Sequence, residues 1–299
     1  MYNKGITVTA ADNIIAFQGR PGAYSHLACR EVHPDMEVLP CVSFEDVFAA
    51  VEGGQARLAM LPIENSLAGR VADVHHLMPH SSLHIVGEHF QRVNHHLLGV
   101  PGATLEGLKA AHSHVQALGQ CRAALRELGI QPISHTDTAG AAQDIAERGD
   151  PQQGAVASAL AGEIYGLDVL TADLEDAEHN HTRFLILSRD ADVPQPDSGL
   201  LMTSMVFRVR SVPAALYKAM GGFATNGVNL TKLESYMLDG TFSAAQFYAD
   251  AEGHPEERSM KLALEELGFF AREVRILGTY PAHPYREEAL RLGTSSEDD

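Results

Sequence analysis

Cysteine is scarce: Cys29, Cys41 and Cys121 are the only three in 299 residues, widely spaced and in no CxxC pair. An odd, scattered set excludes a disulfide framework and a zinc knuckle, so reduced, mostly buried thiols are expected. Cations are also few, 22 Lys and Arg against 39 Asp and Glu, giving a formal charge of −17 and a sequence pI of about 5.3. Phosphate backbones repel such a chain, which excludes nucleic acid as a partner. No run approaches the roughly 18 apolar residues of a membrane helix. The opening MYNKGITVTAADN lacks the apolar core of a signal peptide, so a soluble, cytoplasmic protein away from membranes is expected. Sixteen histidines include the doublets His75-His76 and His95-His96. Neither HExxH nor ligands at matched helical spacing accompany them, so no metal site is expected.

What is present describes a folded chain. With 45% hydrophobic and 20% charged residues, it can bury a substantial core, and its length suggests two domains. From Ile14, short aliphatic runs alternate with helical patterns: Ile14 to Phe17, a helix from about Ala23, Met36 to Leu39, then a helix in which Phe44, Val47, Phe48 and Val51 share one face and Ser43 caps the start. Leu58 to Ile63, Leu83 to Val86 and His96 to Val100 read as strands. A second set of units begins near Thr104. It has a helix with Leu118, Cys121, Leu125 and Leu128 on one face, closed by Gly129, and a strand around Ile133. A helix over Ala139 to Glu147, a strand at Ala155 to Ala157, a helix over Ala159 to Tyr165 stopped by Gly166, and a strand at Phe184 to Leu187 follow. Two α/β lobes with a cleft at their strand ends fit this rhythm, and the cleft is the default ligand site.

The segment Arg189 to Leu200, RDADVPQPDSGL, has the composition of a linker. Beyond it, Met202 to Arg210 alternates as a strand, and Leu216, Ala219, Met220 and Phe223 line a helix. Strands at Gly227 to Tyr236 and Phe242 to Asp250 flank the turn Asp239-Gly240. A helix carrying Met260, Ala263, Leu264 and Leu267 and a strand at Val274 to Leu277 complete a β-α-β-β-α-β, ferredoxin-like α+β order. The tail from Arg286 is expected to fray.

Four stretches carry more polar chemistry at strand ends than packing requires. Gly19 to His26, GRPGAYSH, is a glycine turn whose helix amides can face an anion or serve only a tight connection. Pro62-Ile63-Glu64-Asn65-Ser66 sets a carboxylate, an amide and a hydroxyl after a buried strand, lining a cleft or capping the next helix. Gln116, in HVQALGQC, lies near a helix start in the other lobe. Asn180-His181-Thr182-Arg183-Phe184 combines a hydroxyl, a fixed cation and an aromatic wall. Arg183 can clamp a carboxylate by a forked pair or form a surface ion pair.

GRPGAYSH, PIENS, QALGQC, DTAGAA, ASALAGEIYGL and NHTRF, in this order, resemble prephenate dehydratase. The resemblance covers most of the chain. It implies a two-lobed, periplasmic-binding-protein-like catalytic domain over 12–190 and an ACT regulatory domain over 201–281. The family converts prephenate to phenylpyruvate, water and CO2 in phenylalanine biosynthesis, without cofactor or metal. Thr182 then assists departure of the hydroxyl, Arg183 clamps a carboxylate, and Tyr24, Glu64, Asn65, Ser66, Gln116 and Phe184 complete the substrate pocket, with Glu64 or His181 as the ultimate proton source. The resemblance also implies L-phenylalanine as allosteric effector near Leu216, Asn229, Leu230, Glu234 and Ser235, and a homodimer or homotetramer. Glu234-Ser235-Tyr236-Met237 stands where the family has ESRP, which leaves the strength and sign of regulation open. Arogenate dehydration and a non-catalytic solute-binding sensor are the competing readings.

Overall fold

The computed structural model describes residues 10–177, 179–210, 212–237 and 244–294. Contacts group Met1–Leu77 with His89–Phe184, and Met78–Glu88 with Leu185–Asp299.

In chain order the first eleven strands are β1 (Ile14–Gln18), β2 (Glu37–Cys41), β3 (Leu58–Asn65), β4 (Gly69–Arg70), β5 (His84–Arg92), β6 (His96–Gly99), β7 (Ala110–His114), β8 (Gln131–His135), β9 (Gln153–Ala157), β10 (Asp168–Thr171) and β11 (His181–Ser188). The helices among them are α1 (Tyr24–Val32), α2 (Phe44–Glu52), α3 (Ala72–Leu77), α4 (Val115–Gln120), α5 (Arg122–Glu127), α6 (Thr138–Arg148) and α7 (Ala159–Tyr165). One lobe is built on a sheet ordered β2-β1-β3-β11-β5, with β4 paired to β3, and the other on β10-β6-β9-β7-β8. Parallel pairing of β1 with β2 and β3, and of β7 with β8 and β9, makes both lobes α/β.

Local chemistry explains most boundaries. Ser43 and Asp46 exchange side-chain-to-backbone hydrogen bonds of 3.1 Å, a capping box that starts α2, and Val47, Phe48 and Val51 turn inward. Gly166, at φ +68°, ends α7 in the left-handed conformation that glycine adopts without strain. The single helix expected through Leu118 and Leu128 is instead two. Asp176 accepts from Ala123 N at 3.0 Å and Ala124 N at 3.4 Å, a carboxylate brought by tertiary structure to cap α5, so the helix restarts at Cys121. Leu118, Cys121 and Leu125 still share one buried cluster. Burial pushes the thiols of Cys29 and Cys121 up to about 12, which keeps both in the protonated form.

The second unit holds β12 (Leu201–Val209), α8 (Ala215–Thr225), β13 (Leu230–Met237), β14 (Ala244–Glu252), α9 (Arg258–Phe270) and β15 (Ala271–Pro281). Its sheet is antiparallel and ordered β13-β14-β12-β15, the ferredoxin-like arrangement. Met205 and Phe207 of β12, Phe247 of β14, Phe223 of α8 and Leu267 of α9 form its core. The expected turn at Asp239-Gly240 lies outside the described residues. The expectation of fraying from Arg286 is overturned by helix α10 (Tyr285–Thr294). The Arg286 guanidinium grips the fully buried Glu88 carboxylate through Nε at 2.6 Å and Nη2 at 2.8 Å, and His283 N donates to the same carboxylate at 3.0 Å. A polar tail is held by one buried charge, a partner that composition cannot reveal. Among the described residues no helix is long and apolar enough to cross a membrane.

Candidate functional site

A cavity of about 580 Å³ lies between the two lobes of the first unit. Tyr24, Asn65, Arg70 and Thr182 line it from one lobe, Gln116, Gln120, Thr136 and Thr138 from the other, and His95 lines it just before β6. Of the residues singled out from the sequence, Tyr24, Asn65, Gln116 and Thr182 are brought together here.

Asn65 and Thr182 are 117 positions apart and meet because β3 and β11 are neighbours. Asn65 Oδ1 accepts from Leu67 N at 3.0 Å and Ala68 N at 2.8 Å, fixing the turn that follows β3. Its Nδ2 therefore faces the other way, donating to Asn180 Oδ1 at 2.8 Å and to Thr182 Oγ1 at 2.9 Å. Thr182 accepts, which leaves its own hydroxyl hydrogen available to an acceptor in the cavity. Of the two alternatives open for Asn65, its oxygen caps no helix but fixes the turn before β4, and its NH2 reaches Thr182 on the cavity wall.

The same two segments are laced together further. Ser66 Oγ donates to His179 O at 2.9 Å and accepts from His181 N at 3.0 Å, while Ser66 N donates to His181 O at 2.9 Å. Arg183 is 3% exposed, and its Nη1 meets Glu64 Oε1 at 3.0 Å, with its guanidinium 6.0 Å from the Phe90 ring centre. Phe184 is in the core, 1% exposed. Glu64, Ser66, Arg183 and Phe184 therefore stand behind the cavity wall and not on the cavity. In this geometry Arg183 holds Glu64 and braces the strand pair that presents Thr182. Among the described residues that line the cavity, Arg70, on β4, supplies the arginine.

Gly22 shows what the GRPGAYSH turn does. At φ +90°, with an added Cβ 2.7 Å from Ala161 Cα, it admits no side chain. Ser158 Oγ donates to Gly22 O at 2.6 Å, Tyr165 OH donates to Pro21 O at 2.9 Å, and Gly22 N donates to His26 Nδ1 at 3.0 Å. The turn is a joint between the lobes, and its amide is spent on His26 and not turned to an anion.

Sequence reasoning missed Arg70, His95, Gln120 and Asn180. Burial raises the Tyr24 hydroxyl pKa well above its ordinary value, with Cys121 and Glu175 adding to it, so Tyr24 stays protonated. Burial also lowers His95. The signals were present but separate: a glycine-arginine pair after PIENS, the second Gln of QALGQC, and one His of a doublet weighed only as a metal ligand.

In the second unit a smaller cavity of about 330 Å³ is lined by Gly227, Val228, Asn229, Glu252 and Gly253 among others. Asn229 is the only residue of the expected effector set on its wall. Leu216 and Leu230 pack against the core, Glu234 accepts from Lys232 Nζ at 3.3 Å, and Ser235 pairs with Phe247 across β13 and β14.

Comparison with known proteins agrees with this architecture. The prephenate dehydratase family model matches residues 15–192. A bifunctional N-acyl-homoserine lactone acylase/prephenate dehydratase of Komagataeibacter europaeus is 55% identical, covering 93% of this chain and 99% of that protein. The chloroplastic arogenate dehydratase/prephenate dehydratase 1 of Arabidopsis thaliana is 43% identical over 89% of this chain and 71% of its own. The crystal structure of prephenate dehydratase from Arthrobacter aurescens in complex with L-Phe superposes with a TM-score of 0.82 at 27% identity, covering 95% of this chain and 98% of that one. With its matched residues spanning both lobes, the chain belongs to the prephenate dehydratase family.

Proposed function

We propose that the protein is a prephenate dehydratase, converting prephenate to phenylpyruvate, water and CO2. The observation that carries this reading is the Thr182 hydroxyl, which accepts from Asn65 and faces the interlobe cavity as a donor. As the ring carboxylate leaves as CO2, the electrons of its C–C bond enter the ring, and the C4–O bond breaks to complete the aromatic system. The departing oxygen must gain a proton to leave as water. Thr182 donates a hydrogen bond to that oxygen as charge builds on it, a positioned dipole acting in the transition state. The net proton comes from a stronger acid, with Glu64 and His181 as the candidates already named; Glu64 is engaged by Arg183. Arg70, with Gln116 across the cavity, receives the substrate carboxylates, orienting the ring before reaction. Arogenate differs in carrying an amine in place of the ketone and undergoes the same elimination, so the two substrates are tested side by side.

The βαββαβ unit is read as an ACT regulatory domain that binds L-phenylalanine, supported by its topology and by the L-Phe complex of the similar structure. Asn229 is the effector contact this favours. Assembly as a homodimer or homotetramer in the cytoplasm belongs to the same reading.

Formation of phenylpyruvate from prephenate, or of phenylalanine from arogenate, with and without added L-phenylalanine, tests the assignment. Turnover lost in Thr182→Ala supports it. A folded protein inactive on both substrates overturns it in favour of a binding module. Release of homoserine lactone from an N-acyl-homoserine lactone, the other activity that the Komagataeibacter relative is named for, is measured on the same preparation.

A further inference from the structure

His95 is 2% exposed and belongs to a chain of hydrogen bonds that ends on Thr182. Its Nε2 lies 2.8 Å from Gln120 Oε1, and Asn180 Nδ2 donates to the same Gln120 oxygen at 3.0 Å. Asn180 Oδ1 in turn accepts from Asn65 Nδ2 at 2.8 Å, and Asn65 Nδ2 donates to Thr182 Oγ1 at 2.9 Å. At the far end, Nδ1 of His95 lies 2.9 Å from the Tyr24 hydroxyl, which also reaches Asn94 O at 2.6 Å.

From Asn65 to Gln120 the direction of each bond follows from the backbone; at the far end the one hydrogen of the Tyr24 hydroxyl is divided between Asn94 O and His95 Nδ1. Leu67 N and Ala68 N can only donate, so Asn65 must offer them its oxygen and turn its NH2 to Asn180 and Thr182. Asn180 must then accept with Oδ1, which points its NH2 at Gln120. Gln120 must present its oxygen to that NH2, and this same oxygen faces His95. An oxygen acceptor opposite Nε2 requires the proton to sit on Nε2. Reversing any one amide would set two donors or two acceptors against each other in a buried site, at a cost of about 1–3 kcal/mol.

We propose that His95 is a positioning residue for Thr182: its Nε2–H holds Gln120, and through Asn180 and Asn65 fixes the direction in which the Thr182 hydroxyl donates. This rests on the reading of Thr182 as the donor in the elimination. It gives the His95 half of the doublet His95-His96 a role that is neither metal ligation nor proton transfer, since side-chain amides orient but do not pass protons. Burial, which disfavours the cation, supports a neutral ring carrying a single proton.

Two substitutions separate the two ring nitrogens. The amide of glutamine reaches the position of histidine Nε2 and restores a donor toward Gln120; that of asparagine reaches only the position of Nδ1. His95→Asn is expected to lower kcat roughly 10- to 100-fold with KM changed less than about threefold, the loss that small misplacements of a reacting group produce. His95→Gln is expected to recover about tenfold of that loss, on the same scale. Equal kcat in the two variants, or a loss confined to KM, overturns the proposal. A second readout needs no substrate. The 15N spectrum of the histidine-labelled full chain at neutral pH should show His95 protonated on Nε2, assigned by its loss in His95→Gln. A proton on Nδ1 overturns the direction of the chain whatever the activity. If wild-type protein turns over neither prephenate nor arogenate, the function assigned to the cavity has failed, and the spectrum still decides the hydrogen-bond direction.

Discussion

The two units each bury a polar network, and the networks differ in kind. In the first, Asn65, Asn180 and Gln120 are amides, each with donor and acceptor on different atoms, and together they reach the cavity wall at Thr182. In the second, Ser204, Tyr248 and Tyr280 are hydroxyls around the Asp250 carboxylate, and all four are fully buried. Tyr248 OH donates to Asp250 Oδ1 at 2.6 Å and lies 3.1 Å from Ser204 Oγ, which is 2.7 Å from the Tyr280 hydroxyl. Hydroxyl hydrogens rotate, so such a cluster can rearrange its donors and survive a change. A chain of amides anchored on backbone N–H groups has one arrangement only. The first network suits a site that must present a donor in one direction; the second suits a sheet interior that must only keep its polar atoms satisfied.

That contrast can be broken by substitution. Thr182→Ala removes the end of the amide chain and its donor, and kcat is expected to fall about 10²- to 10³-fold, the loss typical of one transition-state donor, while the urea midpoint stays near wild type. Retained kcat would put the donor elsewhere. Asp250→Ala strikes the other network: it strands buried hydroxyls and opens a cavity, and unfolding in urea should show a loss of about 3 kcal/mol, with kcat within twofold of wild type. A large kcat effect at unchanged stability would show that the hydroxyl cluster is not merely structural. Asn65→Asp sharpens the contrast, because it sets a carboxylate oxygen against Thr182 Oγ1 and Asn180 Oδ1. A fall in kcat of roughly 10- to 100-fold is expected, larger than any fall in affinity. An affinity-only effect would make Asn65 a substrate contact and not an orienting group.

The elements were legible in the sequence where local chemistry sets them. The capping box of α2, the α7 helix ending at Gly166 and the βαββαβ order all follow from spacing and turn residues. The α4–α5 break was not legible, because the group that caps α5 is Asp176, more than 50 positions away. Short β4 carries no periodicity, and with it Arg70 went unnoticed. The site was legible as motifs and not as roles. Arg183 is chemically apt for binding a dianion and Glu64 for supplying a proton, yet β3 and β11 set them side by side and each meets the other. His95 and Asn180 could not be ranked from sequence, since their meaning lies in partners 25 and 115 positions away.

Tyr280→Phe has the smallest expected effect and tests the contrast most directly. It deletes one hydroxyl and leaves the ring, so packing is kept and the bond to Ser204 is lost. Ser204 Oγ still donates to Asp250 and still has the Tyr248 hydroxyl at 3.1 Å, so the cluster can close around the missing member. A loss of about 1 kcal/mol in urea unfolding is expected, the net worth of one hydrogen bond and not the cost of a stranded group. A loss above about 3 kcal/mol, the scale of a broken buried network, would show the hydroxyl cluster to be as rigidly directed as the amide chain. The distinction between the two networks would then lie in what they border, one a cavity and the other a sheet interior, and not in how they are built.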